Sequence, residues 1–209
     1  GVSEPKNFLP PRIVRVGHPT SHPRAVAEKL QLSSAQVVEL EGPVDIDTDI
    51  SQSDLFVLVI SAKTGVSTEM TSTWNIASEK QVPRIVIVNG LEMNETDFDD
   101  IVLIANRILE SVITPYLVLH DEVGEPVGLI SLSDNQVRDY SSGVANIYPA
   151  DSELQSLVAD FKEELEESTI EFDSSAFQAG LIVPALPFVA SRNIGVDEFQ
   201  AYLELVPKR

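Results

Sequence analysis

The chain has 209 residues, 43% of them hydrophobic, enough for one large domain or for one domain carrying an insertion. A formal charge of -19 argues against nonspecific nucleic-acid binding by the domain as a whole, because phosphate neutralisation needs clustered Lys and Arg; no specific nucleic-acid site is visible, and a basic protein partner fits better. With no cysteine there is no disulfide or thiolate metal site, and no apolar run approaches the roughly eighteen residues of a membrane span, so the expected setting is a soluble protein of the cytoplasm.

Residues 1–11 read as an extended, proline-broken leader without the features of a signal peptide. Ile13 to Val16 predicts a short strand, residues 17–24 a loop and Ala25 to Leu30 a helix, with Gln36 to Leu40 as the next strand. Pro23 can open that helix at its first position, where a missing N–H costs nothing. Asp45, Asp47 and Asp49 invite a metal reading, but the run lacks the glycine and bidentate glutamate of a calcium loop and reads as a solvated turn.

Leu55 to Ile60 is an unbroken apolar run, the pattern of a strand buried on both faces. After the turn signal Lys63-Thr64-Gly65, residues Met70, Trp74 and Ala77 recur at helical spacing, with Ser67 or Thr68 as N-cap and Glu69 in the first turn. Val82-Pro83 ends that helix, and Arg84 to Val88 supplies a second buried strand, so the segment predicts a βαβ unit.

Glu95 to Leu109 predicts a helix with Phe98, Ile101, Ala105, Ile108 and Val112 along its inner face. Short strands follow at Tyr116–Leu119, Gly128–Leu132, Gln136–Tyr140 and Asn146–Tyr148, punctuated by Gly124, Pro126, Gly143 and Pro149. Ser152 to Glu167 is an acidic amphipathic helix with Leu154, Leu157, Phe161 and Leu165 predicted inside. Leu181 to Leu186 is the last predicted strand, and Val196 to Leu203 the closing helix.

The order Gly65-Val66, Thr73-Trp74, Ala77 and then Val82-Pro83-Arg84-Ile85-Val86, with Val88-Asn89 at the strand end, resembles the centre of the GTP-binding domain of translational GTPases of the elongation factor G and release factor three type. The resemblance runs through Phe177, Ala179-Gly180, Pro184, Asn193 and Gly195-Val196 and covers nearly the whole chain. It implies an α/β fold: a doubly wound, mostly parallel five-stranded sheet of order 2-1-3-4-5, with a small inserted α+β subdomain. The implied division is a leader at 1–11, a GTPase-like domain at 12–114 and 180–206, and an insertion with its acidic helix at 115–179.

The motifs that carry the family's chemistry are altered. Its phosphate loop would place Gly-Lys-Ser/Thr on His22, Pro23 and Arg24, and Pro23 supplies neither ammonium nor N–H. The long switch segment with its metal-binding threonine is missing, and no histidine follows Glu41-Gly42-Pro43. The Asn-Lys-x-Asp corner reads Asn89-Gly90-Leu91-Glu92, and the Ser-Ala loop reads Val189-Ala190. The resemblance thus implies a remnant nucleotide site of Gly17, His18, Thr20 and Arg24 beside the phosphates, with Asn89, Glu92 and Ala190 around the base.

No catalytic residue and no metal site is expected. The histidines are His18, His22 and His120, and no serine sits in a Gly-x-Ser-x-Gly elbow. The first reading is a degenerate translation-factor domain that binds a ribosomal or other basic protein partner through its acidic insertion, without efficient GTP hydrolysis and without a cofactor. The alternative is a functional but weak guanine-nucleotide binder, with GTP or GDP and magnesium bound and with Arg24 or Lys63 compensating at the phosphates. An unrelated doubly wound enzyme and a purely structural domain also remain open. The resemblance further implies that the C-terminal domains of a translation factor are not part of this chain.

Overall fold

The computed structural model describes residues 12–17, 21–32, 37–39, 50–92, 97–168 and 174–207. Five parallel strands form the main sheet: β1 (Ile13–Gly17), β2 (Val37–Glu39), β3 (Leu55–Ser61), β4 (Arg84–Asn89) and, far along the chain, β9 (Ala185–Pro187). Their spatial order is β2-β1-β3-β4-β9. All seven residues of β3 are buried, as a strand covered on both faces requires.

Helix α1 (Pro23–Lys29) follows β1, and helix α2 (Thr68–Glu79) crosses between β3 and β4. Ser67 caps α2 by accepting the Met70 N–H at 3.3 Å. Met70, Thr73, Trp74 and Ala77 form its buried face, and Trp74 meets Phe56 edge to face at 5.8 Å.

Arg84 opens β4 as a buried cation. Its Nη1 donates to the carbonyls of Val82 (2.9 Å) and Ala77 (3.4 Å), its Nη2 to Glu110 (3.0 Å) and to the carbonyl of Gly180 (3.2 Å), and its guanidinium lies 5.4 Å from the Trp74 ring centre. Trp74 Nε1 donates to the same Glu110 oxygen at 2.9 Å. Burial holds the Arg84 pKa below its ordinary value, with the Glu110 charge and hydrogen bond acting against that shift.

Helix α3 (Phe98–Ile108) buries Phe98, Ile101, Val102 and Ala105. The predicted inner position Ile108 is instead 44% exposed. At about 100° per residue, Leu109 continues the buried stripe and Ile108 falls to one side of it; Leu109 indeed packs against the core.

A second sheet then forms an antiparallel meander of β5 (Tyr116–His120), β6 (Pro126–Ser131), β7 (Gln136–Asp139) and β8 (Asn146–Pro149) in that spatial order. Helix α4 (Ser152–Ser168) covers one face, closing a small core of Leu117, Ile130, Leu132, Val137, Ala150 and Val158. The inner face of α4 differs from the predicted one: Leu157 is 71% exposed and Phe161 40% exposed, whereas Val158 is buried with Leu154 and Leu165 packed beside it. Residues 154, 158 and 165 form a narrower stripe than the four large side chains would, and they are the α4 side chains that pack into the small core.

Helix α5 (Ser174–Gln178) sends Phe177 into the core of the parallel sheet, edge to face with Tyr202 at 5.2 Å. The last strand, expected at Leu181–Leu186, starts only at Ala185 as β9, and Leu181 is exposed. Gly180 sets this delay: its φ is +70°, and a Cβ there would sit 2.5 Å from the Gln81 carbonyl, so the chain turns tightly against the end of α2 before it straightens. Helix α6 (Val196–Leu203) closes the domain over the residues predicted for it.

Candidate nucleotide-site remnant

The C-terminal edge of the parallel sheet gathers the ends of β1, β4 and β9, the place where ligands of open α/β sheets bind. At β1, Gly17 is needed for close packing: a Cβ would lie 2.7 Å from Ser21 Oγ and 3.1 Å from the Val59 carbonyl. His22 adopts a left-handed backbone (φ 55°) with its side chain exposed and makes no side-chain cap to α1. Pro23 then occupies the first helical position and is buried, so this helix start offers no N–H at that residue. The helix thus begins at Pro23, the opening position expected for it, two residues before the segment that starts at Ala25, because proline pre-sets the helical φ.

Arg24 is exposed on α1, whereas Gly17 is half-buried. His18 and Thr20 lie outside the described residues, as do the Asp45, Asp47 and Asp49 run and the leader at 1–11. Among the described residues no three His, Cys, Asp or Glu side chains cluster as metal ligands, and no helix is long and apolar enough to cross a membrane.

The β4 side of the edge is ordered by hydrogen bonds. Asn89 Nδ2 donates to the Ser21 carbonyl at 2.9 Å and Asn89 Oδ1 accepts the Gly90 N–H at 2.8 Å, so one side chain ties the end of β4 to the loop that precedes α1. Gly90 carries φ +73° and turns the corner, and Glu92 follows it half-buried. Beyond β9, Ala190 begins a single 3-10 turn (Ala190–Arg192) inside a hairpin closed by reciprocal Val189–Ile194 backbone bonds of 3.0 and 3.2 Å. The Phe188 N–H, bonded to the Val88 carbonyl at 2.9 Å, fixes that hairpin to β4. Gly17, Asn89 and Ala190 thus share one edge, and Asn89 is directly joined to the α1 loop, while Arg24 stands one residue into α1 on its exposed side.

One cluster beside this edge is not foreseen by the sequence pattern. Glu198 on α6 is fully buried, accepting from Arg138 Nη1 at 2.7 Å, from the Tyr140 hydroxyl at 2.8 and 3.0 Å, and from the Gly195 N–H at 2.9 Å. Burial, and then the Glu198 charge, push the Tyr140 hydroxyl well above its ordinary pKa, so it stays a donor. Burial acts against the Arg138 charge, but Tyr116 and Glu198 together raise its pKa. Glu198 stands next to Asp197 in a first helical turn, where two acids ordinarily read as solvated, and its side-chain partners lie about sixty residues upstream.

The elongation factor Tu GTP-binding domain family matches residues 44–208. The chain belongs to this family. Among curated relatives of this elongation factor Tu-type domain, the mitochondrial ribosome-releasing factor 2 of Anopheles gambiae is 28% identical over 54% of the chain and 16% of the relative. Elongation factor G 2 of Hahella chejuensis is 24% identical over 68% of the chain and 22% of the relative. The elongation factor G-like protein of Thermotoga maritima is 23% identical over 76% of the chain and 26% of the relative. The chain thus spans between about a sixth and a quarter of the length of these relatives. A crystal structure of a Thermus thermophilus protein superposes with a TM-score of 0.73 at 20% identity, covering 95% of this chain and 40% of that one, a likeness of fold.

Proposed function

We propose that this elongation factor G-type domain is a cytoplasmic translation-factor scaffold that binds a ribosomal or other basic protein surface and does not hydrolyse GTP efficiently. The observation that carries the reading is the start of α1 on buried Pro23 after an exposed, left-handed His22. A phosphate loop works through consecutive backbone N–H groups at a helix start, a lysine ammonium and a hydroxyl for magnesium. Pro23 has no N–H and no ammonium, and on the alignment with the family Arg24 puts a cation where the hydroxyl belongs, which argues against a site for a nucleoside triphosphate and its metal. Each missing charge-assisted contact is worth roughly 1.5 to 3 kcal/mol, so together they remove orders of magnitude in affinity.

The alternative, a weak guanine-nucleotide binder, draws its support from Asn89, which still couples the β4 corner to the α1 loop. Calorimetry of the chain with GTP and GDP, with and without magnesium, separates the two. The scaffold reading expects dissociation constants weaker than about 10 micromolar, roughly 7 kcal/mol of binding. A tighter constant in either nucleotide overturns it and favours the alternative.

The partner side of the proposal is supported by α4. Leu157 and Phe161 stand exposed one turn apart, with exposed acids at Glu153, Asp160 and Glu164 nearby along the helix. An apolar pair within an acidic surface suits a basic, amphipathic partner, with binding that weakens in salt. Cosedimentation with purified ribosomes tests this: the double variant Leu157→Ser with Phe161→Ser, and the triple reversal of Glu163, Glu164 and Glu167 to Lys, should each lose most of the pelleted fraction. Undiminished pelleting in both removes the partner assignment.

A further inference from the structure

The antiparallel insertion meets the hairpin that carries Ala190 along a polar seam, and the seam runs through one carboxylate. On the insertion side, Arg138 of β7 lies with its guanidinium 5.1 Å from the Tyr116 ring centre of β5, and Tyr140 follows β7 buried. Both donate to Glu198. On the other side, Glu198 accepts the N–H of Gly195, the residue that joins the Val189–Ile194 hairpin to α6. Gly195 has φ +95°, and a Cβ there would sit 2.4 Å from the Pro187 carbonyl, so this joint has one backbone solution. Two further bonds run beside it: Asn193 Nδ2 to the Gly143 carbonyl at 2.7 Å and Arg192 Nη1 to the Ser141 carbonyl at 3.4 Å.

We propose that Glu198 is a positioning residue that latches the insertion to the Val189–Ile194 hairpin, so that whatever orders or displaces the insertion is transmitted to the loop carrying Ala190. The chemistry favours transmission over simple filling of space. A carboxylate with no solvent exposure must have donors, and these come from both bodies: two side chains from the insertion and one backbone N–H from the hairpin root. When the insertion withdraws its two donors, the buried Glu198 side chain is left with one backbone partner. It regains solvation by leaving its site, and the Gly195 N–H loses its acceptor in the same movement. The latch works in the same way whether or not nucleotide binds at the edge.

Amide hydrogen exchange resolved by residue tests it, using variants placed only in the insertion. Arg138→Met and Tyr140→Phe should each speed exchange of the Gly195, Ile194 and Val189 amides by about tenfold or more, while Leu58 and Val59 of β3 keep their protection. Arg138→Lys, which keeps a cation within reach of Glu198, should return most of the protection that Arg138→Met loses. Unchanged hairpin amides in both variants overturn the latch, including the case in which the β6 amides show that the insertion itself has opened. A rise only in step with Leu58 and Val59 marks global destabilisation and overturns it too. An Arg138→Lys hairpin as unprotected as that of Arg138→Met assigns the seam to packing and overturns the role given to the charge.

Discussion

The two sheets of this domain solve the same problem in opposite ways. The parallel sheet buries β3 from end to end, and its core draws on strands and helices from both ends of the chain. The antiparallel sheet has six buried apolar residues in its own core and one covering helix, and its edge strand β8 is exposed along its whole length. A large apolar core tolerates few polar partners, and Arg84 meets its burial with hydrogen bonds and Glu110 gathered at one site; the second sheet joins its neighbour through Tyr116, Leu129 and Tyr140, which pack into the larger core, and through the hydrogen bonds at Glu198. The insertion is therefore held by an apolar contact with a polar, specific seam beside it, while the main sheet rests chiefly on apolar burial.

The largest test of that contrast is at Trp74. It is fully buried, edge to face with Phe56, facing Arg84 and bonded to Glu110, so Trp74→Ala should cost about 3 to 5 kcal/mol and lower the midpoint of every probe in a denaturant titration together. Loss of a single spectroscopic probe, with the rest of the transition unmoved, would show that the main core is less unified than its burial implies.

A smaller and more local effect is expected at Leu132, which is fully buried in the second core. Leu132→Ala should cost about 2 to 4 kcal/mol, read by hydrogen exchange as lost protection in β5–β8 and α4 while β3 and β4 stay closed. Equal loss in both sheets would mean that the insertion has no separate opening reaction.

The smallest effect concerns the turn that meets Arg192. Asp139 accepts from the Ser141 hydroxyl at 2.6 Å and the Ser141 N–H at 2.9 Å, and these bonds hold its pKa below the ordinary 3.8. A carboxyl with a depressed folded pKa stabilises the fold above its unfolded value and loses that contribution as pH falls through the folded one. Asp139→Asn should therefore melt slightly below the parent at neutral pH, with the gap closing as pH drops below about 3.8. A gap that widens in acid would reverse the sign assigned to this contact.

Much of the fold was legible because the main sheet obeys simple patterns. A strand buried on both faces shows itself as a continuous run, as at Leu55–Ile60, and a long crossover helix shows its period, as at Met70, Trp74 and Ala77. The α/β class and the translation-factor family followed from those segments. The insertion was harder, because its core is too small to use every large side chain offered to it: Leu157 and Phe161 look like core on α4, and Val158 takes the place instead. At the candidate edge, the resemblance to the family's Asn-Lys-x-Asp corner singled out Asn89, whose bond to the Ser21 carbonyl ties two loops together. Glu198 was not singled out, because nothing local separates a buried acid at the third position of a helix from a solvated one.

The way the chain leaves and rejoins the main sheet has its own consequence. The Ile113 N–H bonds the Val183 carbonyl at 2.8 Å, the Ala185 N–H bonds the Ile113 carbonyl at 2.9 Å, and Ile113 bridges Pro184 in parallel. The excursion therefore departs and returns at one point, and its interior can lengthen or shorten without shifting the register of β4 against β9. Loop-closure entropy grows only by about 0.6 kcal/mol for each doubling of length, so the parallel sheet is nearly indifferent to how much chain is looped out there. Chain added within the excursion away from the Arg138, Tyr140 and Glu198 seam therefore leaves the pairing of β4 with β9 in place.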